Sequence, residues 1–315
     1  PHFSPILHTT TDVVRQVIIP GTADQRCAFA EKMTGGKPVR PKRMVTHNWS
    51  NLFRDLVAAI VADAMQQSTY SLIAELLDKD ISTLEQMLGP KALAMTYWVC
   101  AFSVNQHFSI CGRNPGGSSD PVTGMQHPVC DCGSATLLND TPPLADDGRS
   151  VRCQMNKFDD MIAFLSASDP DFAQVIAVDR RFELFGRAWC VAELAVADKM
   201  GMRQSLKLSS RQALSQHRAS LEGLQVEKMR ASRPEDVLEI LSKIPNVPAF
   251  NVRLQEMLFG DCGLFNRWAD VDFVEQAAEV GRVARFAEMY RQASVGGEKP
   301  FGRWSSQDGE DLAQV

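Results

Sequence analysis

The sequence predicts an α/β protein built on a doubly wound parallel sheet, and three observations carry that expectation. Residues 96–102 (TYWVCAF) and 174–178 (QVIAV) are apolar almost throughout, as strands covered on both faces are. Segments of helical period lie around and between them. Helix start and stop signals punctuate the alternation, which implies parallel strands joined by crossover helices.

Residues 11–19 read as a short helix or strand, and Gly35, Gly36, Pro38 and Pro41 as a linker closing an N-terminal extension over residues 1–40. Residues 43–46 are the first strand candidate, followed by His47-Asn48-Trp49-Ser50. Leu52, Phe53, Leu56, Val57, Ile60, Val61 and Ala64 then fall on one helix face. A second helix is expected over 69–77. A third opens on a Ser82–Glu85 capping box and stops at Gly89-Pro90. After the TYWVCAF strand, Phe158, Met161, Ile162 and Leu165 form a helix face with Asn156 as its cap. The QVIAV strand is followed by a helix over 188–200 that ends at Gly201, where a left-handed cap belongs. Residues 206–208 and 224–226 are further strand candidates. Ser232 with Glu235, and Pro234 at the first helical position, start another helix. About five strands result, in a flavodoxin-like order. Ligands of such sheets bind outside the carboxyl ends of the strands, which marks residues 46–49, 103–107 and 179–185. A helical C-terminal extension is expected over 249–293, with Phe265, Trp268 and Phe273 packing its helices, and a disordered polar tail over 294–315.

The composition narrows the function classes. The chain has 315 residues, 33 basic against 38 acidic side chains, and a net charge of −5. Binding of nucleic acid through bulk electrostatics is therefore not expected. The longest apolar stretch, 93–104, is far short of the ~20 residues of a spanning helix. The eight cysteines do not space like a secreted disulfide framework, so an intracellular, cytoplasmic setting is expected. The chain opens on Pro1 rather than Met, which leaves room for a missing N-terminus and a lost targeting segment.

The most specific string is Phe185-Gly186-Arg187-Ala188-Trp189-Cys190-Val191-Ala192-Glu193-Leu194, after a buried strand and at a helix start. Its Trp-Cys-x-x-Glu-Leu block resembles the signature of TIR domains, especially plant and protist ones. The resemblance covers roughly residues 43–245, within a domain drawn at 41–248. It implies a five-stranded flavodoxin-like sheet, homotypic self-association in signal transduction, and, in the enzymatic members, cleavage of NAD at the nicotinamide–ribose bond. Glu193 stands where those members carry the catalytic glutamate. One carboxylate suits that chemistry, because nicotinamide leaves as a neutral heterocycle that no acid has to protonate. A fixed carboxylate in a water-poor site can steady the oxocarbenium-like ribose.

The plain alternative for Glu193 is an acid near a helix N-terminus, in a silent TIR-like assembly module. A third reading is another nucleoside-cleaving transferase. Trp189 and Cys190 are expected to pack the helix onto the sheet.

The first strand end departs from the plant pattern and carries Thr46-His47-Asn48-Trp49. Trp49 could stack on a base and His47 could bind a phosphate or hydroxyl; alternatively they seal the sheet edge and cap the helix. Asn105, Gln106 and Asp179 are further substrate-side candidates.

A second departure is an insertion over 107–155, 49 residues with 6 Gly and 5 Pro. A loop this long is uncommon unless functional or stapled. His127, Cys130, Cys132 and Cys153, with Cys111 as an alternative ligand, suggest a structural zinc knuckle whose metal supplies folding free energy. Free thiols and a strained Cys130/Cys132 redox pair are the other readings.

Overall fold

The protein is described from a computed structural model covering residues 2–114, 116–134, 157–231 and 234–295. The chain divides into two compact units, Pro1–Trp268 and Ala269–Val315. The first holds a sheet of four parallel strands, β1 (Arg43–His47), β2 (Tyr97–Val99), β3 (Ala173–Ala177) and β4 (Arg203–Lys207), in the order β2-β1-β3-β4. β1 pairs with β3 from Arg43–Ala173 to His47–Ala177, and β3 with β4 from Ala173–Arg203 to Ala177–Lys207. The chain leaves β1 toward β2 and returns across it to β3, so the switch in winding direction falls between the carboxyl ends of β1 and β3. Helices cover both faces. The fold is α/β, with four strands among the described residues where about five were expected.

Strand alternation sorts the side chains. Val45, Val99, Val175 and Ala177 pack on Leu56, Ala59 and Ala62 of α1 (Phe53–Ala64) and on Ile73 and Ala74 of α2 (Ser71–Lys79). Met44 and Trp98 point to the opposite face, against Ile162 and Leu165 of α4 (Lys157–Ser168) and Ala197 of α5 (Ala188–Lys199). Ile176 and Leu206 pack with Ala188, Cys190, Val191 and Leu194 of α5. Fully burying one such aliphatic side chain contributes about 1.5–3 kcal/mol.

Between α2 and β2, helix α3 (Ile81–Met87) is capped by Asp80, not by Ser82. The Asp80 carboxylate accepts from the Thr83 amide and hydroxyl at 3.0 and 2.6 Å. An aspartate two residues earlier outcompetes the expected serine because both its oxygens are used. Gly201 takes φ +65° after α5, as expected.

The TYWVCAF run pairs only over Tyr97–Val99 and turns helical at Cys100–Ser103. The cause is Gln106, whose side-chain amide donates to the carbonyls of Cys100, Ala101 and Val104 and fixes them away from a ladder. Residues 224–226 form no strand: a 3-10 turn covers Val226–Lys228, and the Val226 amide donates to the Asn251 side chain at 2.9 Å. Among the described residues nearby, one bridge forms, Arg187 to Arg230.

The N-terminal residues are helical rather than extended. Thr10–Val13 starts on a Thr9/Asp12 capping box and runs on through Val14–Ile18 and Ile19–Gly21. Val13, Val14, Ile18 and Ile19 are buried in the α1 core. After β4 come α6 (Arg211–Glu222), α7 (Pro234–Ser242), α8 (Val247–Phe259) and α9 (Leu264–Val295), a helical C-terminal region. Phe265 and Trp268 are buried there, whereas Phe273 is exposed. The caps expected at Asn156 and Ser232, the ligand Cys153, and residues 296–315 of the tail lie outside the described residues. Among the described residues, no helix is long and apolar enough to cross a membrane.

Candidate functional site

Two polar centres stand out in the first unit. The first is at the carboxyl end of β1. Cys190, Glu193, Leu194 and Ala197 share one face of α5 through their three- and four-residue spacing; Cys190, Leu194 and Ala197 are buried against the sheet and Glu193 is half-buried. The neighbouring strand face supplies Thr46, whose hydroxyl donates to Glu193 Oε2 at 2.5 Å. Thr46 Oγ1 in turn accepts from Gln174 Nε2 at 2.7 Å, and Gln174 Oε1 accepts from Gln204 Nε2 at 2.8 Å. Gln204 also donates to the Leu194 carbonyl at 3.1 Å. A file of amides thus crosses β4, β3 and β1 and ends on the carboxylate. The register requires it, because Met44, Gln174 and Gln204 are level with one another and Thr46 stands two residues further along the same face.

His47 points to the other face and is buried. Its Nδ1 lies 3.4 Å from the Val45 carbonyl and its Nε2 3.8 Å from Cys100 Sγ. Trp49 Nε1 donates to the same sulfur at 3.2 Å. Burial pushes the imidazole down to about 4, with the Val45 carbonyl offsetting part of the shift. Burial pushes the Cys100 thiol up to about 12, and the Glu193 charge adds to it. Neutral imidazole beside protonated thiol is the reverse of an activated thiolate pair. Cys190 is buried, donates to the His47 carbonyl at 3.6 Å, and is raised well above the usual thiol range by burial first and Glu193 next. Trp189 packs against the cluster that holds Ile176 and Leu206, and its Nε1 donates to Asp236 of α7 at 3.2 Å.

Asp179 and Asn105 are occupied with backbone. The Asp179 carboxylate accepts from the amides of Arg181, Glu183 and Leu184 at 3.1, 3.0 and 2.8 Å, holding the turn in which Phe182 takes φ +57°. Asn105 donates to the Arg26 carbonyl at 2.6 Å and accepts from the His107 amide at 3.0 Å. Gln106 is spent on the carbonyls after β2. Thr46, His47, Trp49, Cys190 and Glu193 therefore gather around the end of β1, joined by Cys100 and Gln174. Cys100 was legible only as an apolar-strand thiol. Gln174 carried a usable signal, since an amide inside a doubly buried strand has to find a partner.

The second centre lies in the insertion. One ligand atom each from His107, Cys111, Cys130 and Cys132 falls within 4.8 Å of the others, an arrangement that could hold a metal ion. Cys111 Sγ is 3.6 Å from Cys132 Sγ, and Cys130 Sγ is 3.7 Å from His107 Nδ1. Burial, then its thiol neighbours, raises Cys111 to about 12, while the Ser134 hydroxyl and amide lower Cys132 to about 6. His127 is not in the set. Its Nε2 meets the Asp12 carboxylate at 2.8 Å, so the N-terminal capping box takes the imidazole expected as a ligand. His107 replaces it. Its position four residues before Cys111, at the insertion's first residue, was the overlooked signal.

Fold and sites together define a doubly wound α/β protein with a hydrogen-bonded carboxylate at the sheet's switch point and a thiol–imidazole cluster in its insertion. Comparison with family models, with curated proteins and with solved structures gives no match to this chain.

Proposed function

We propose that the chain is a TIR-like NAD nucleosidase that cleaves the nicotinamide–ribose bond with Glu193 as its carboxylate, working in a self-associated form. The observation that supports this reading is the 2.5 Å bond from Thr46 to Glu193 at the carboxyl end of β1. A half-buried carboxylate held by a strand hydroxyl is oriented before substrate arrives, which is what electrostatic stabilisation of a ribosyl cation asks of it. The neutral nicotinamide departs without protonation, so the protonated Cys100 and the neutral His47 have no acid role. Any metal in the thiol–imidazole cluster is structural under this reading.

The test is nicotinamide release from NAD by concentrated, assembled protein, followed by chromatography, with Glu193→Gln compared at equal folding by circular dichroism. Loss of release on substitution supports the assignment. Release unchanged in the variant overturns it. No release from the parent protein at any concentration leaves the silent assembly module, and release from nucleosides but not NAD leaves the transferase reading.

A further inference from the structure

We infer that His107, Cys111, Cys130 and Cys132 form a tetrahedral zinc site that clips the insertion to the N-terminal helix, with Thr22 orienting the imidazole. This inference is independent of the chemistry at Glu193.

The donor set comes first. Three sulfurs and one imidazole nitrogen select a soft, tetrahedral divalent ion, and zinc above others. A tetrahedron with Zn–S bonds of about 2.3 Å has S···S edges of about 3.8 Å and slightly shorter S···N edges. The 3.6 Å Cys111–Cys132 and 3.7 Å Cys130–His107 separations match such edges. No large movement is needed to seat an ion.

The imidazole is already set for coordination. Thr22 Oγ1 donates its proton to the Ile18 carbonyl at 2.8 Å, so toward His107 Nε2, 3.0 Å away, it acts as acceptor. A ring proton is thereby held on Nε2, and Nδ1 is left to face the three sulfurs. A ligand histidine whose other nitrogen donates to a fixed acceptor is the usual outer-shell arrangement of zinc sites. Both residues are buried: His107 is 1% exposed and Thr22 1%.

The surroundings explain what the ion does. Arg15 donates to the Ile110 carbonyl at 3.0 Å and Gln16 to Asp120 at 2.9 Å, while Asp12 holds His127. The N-terminal helix therefore meets the insertion through polar contacts as well as through the apolar cluster its Val14 and Ile18 share with Ile110 and Cys111, and exchange with water leaves each hydrogen bond worth only about 1 kcal/mol. Three thiolates bind one divalent ion, the thiol protons still present go to solvent, and the site is left at net −1. It is a folding clip, not a catalytic metal, since all four positions are protein ligands.

The full chain, purified under reducing conditions with zinc present, is expected to carry about one zinc per molecule by elemental analysis. Cobalt substituted for zinc should show the intense absorption of tetrahedral thiolate coordination. Cys130→Ser should lose both. Thr22→Val, which keeps all four ligands, should fold and bind zinc roughly 10- to 100-fold more weakly. Cys153→Ser should keep its zinc. Zinc-free parent protein with freely titrating thiols overturns the site, as does a two-hydrogen mass deficit mapped to a Cys111–Cys132 disulfide. Zinc lost in Cys153→Ser, or unweakened in Thr22→Val, overturns this ligand set and its orienting partner.

Discussion

The carboxylate at the end of β1 and the thiol–imidazole cluster in the insertion are both polar centres in largely buried surroundings, yet they are held in opposite ways. Around Glu193 the backbone ladder does the positioning. Thr46, Gln174 and Gln204 stand on one sheet face in fixed register, and each hydrogen bond follows from strand pairing. Around Cys130 and Cys132 no ladder exists among the described residues; turns and one isolated bridge, Ser119 to Gln126, carry the backbone there. A sheet can orient a carboxylate without a ligand. A loop that gathers three thiols has little apolar burial of its own to oppose the chain entropy it gives up.

That contrast can be broken experimentally. Chelating the metal is expected to have the largest effect: at a thousandfold excess of free zinc over Kd, binding contributes about 4 kcal/mol, so its removal should lower Tm by roughly 10 °C. Differential scanning calorimetry with and without chelator measures this, and an unchanged Tm would separate the cluster from stability altogether. Glu193→Gln acts on activity instead. It should cut nicotinamide release on the order of 10³-fold, about 4 kcal/mol of barrier, with little change in Tm because the amide oxygen still accepts from Thr46.

His47 tests the sheet side by pH. Its folded value of about 4 lies below the ordinary 6.5, because burial disfavours the cation. The unfolded chain therefore takes up the proton first as pH falls. The contribution to stability is complete above about pH 6.5 and declines toward pH 4, by roughly 3 kcal/mol in all. Denaturant titrations from pH 7 to 4 should show this slope, and His47→Gln should flatten it. The smallest effect is expected from Gln174→Leu, about 1–3 kcal/mol, as Thr46 and Gln204 are each left short of a partner. If that variant loses nothing by urea titration, the amide file is not what holds the carboxylate.

Much of the sheet was readable beforehand because apolar continuity and helical period are local signals. The strands at 43–46, 174–178 and 206–208 and the helix from Ala188 recur within a few residues of where the pattern put them. The misses share a cause. Gln106 ends β2 early by reaching back to three carbonyls, and Asn251 takes the Val226 amide from 25 residues away. Side chains that compete for backbone groups leave no periodicity. The site reading divides likewise. Thr46, His47 and Trp49 were found because they end a strand, whereas Gln174 was hidden by its apolar neighbours. In the insertion, Cys130 and Cys132 were conspicuous, but His127 and His107 are both histidines near a cysteine.

What the sequence alone determined is the α/β alternation, the strand ends that could carry chemistry, and the unusual cysteine content of the insertion, since each is written in spacing along the chain. Only the tertiary structure decided that Thr46 meets Glu193 and that His107 rather than His127 faces the thiols. Those pairings join residues 147 and 23 positions apart, and which imidazole turns inward depended on Asp12 and Thr22, two residues of an N-terminal helix whose side chains had partners waiting on another segment.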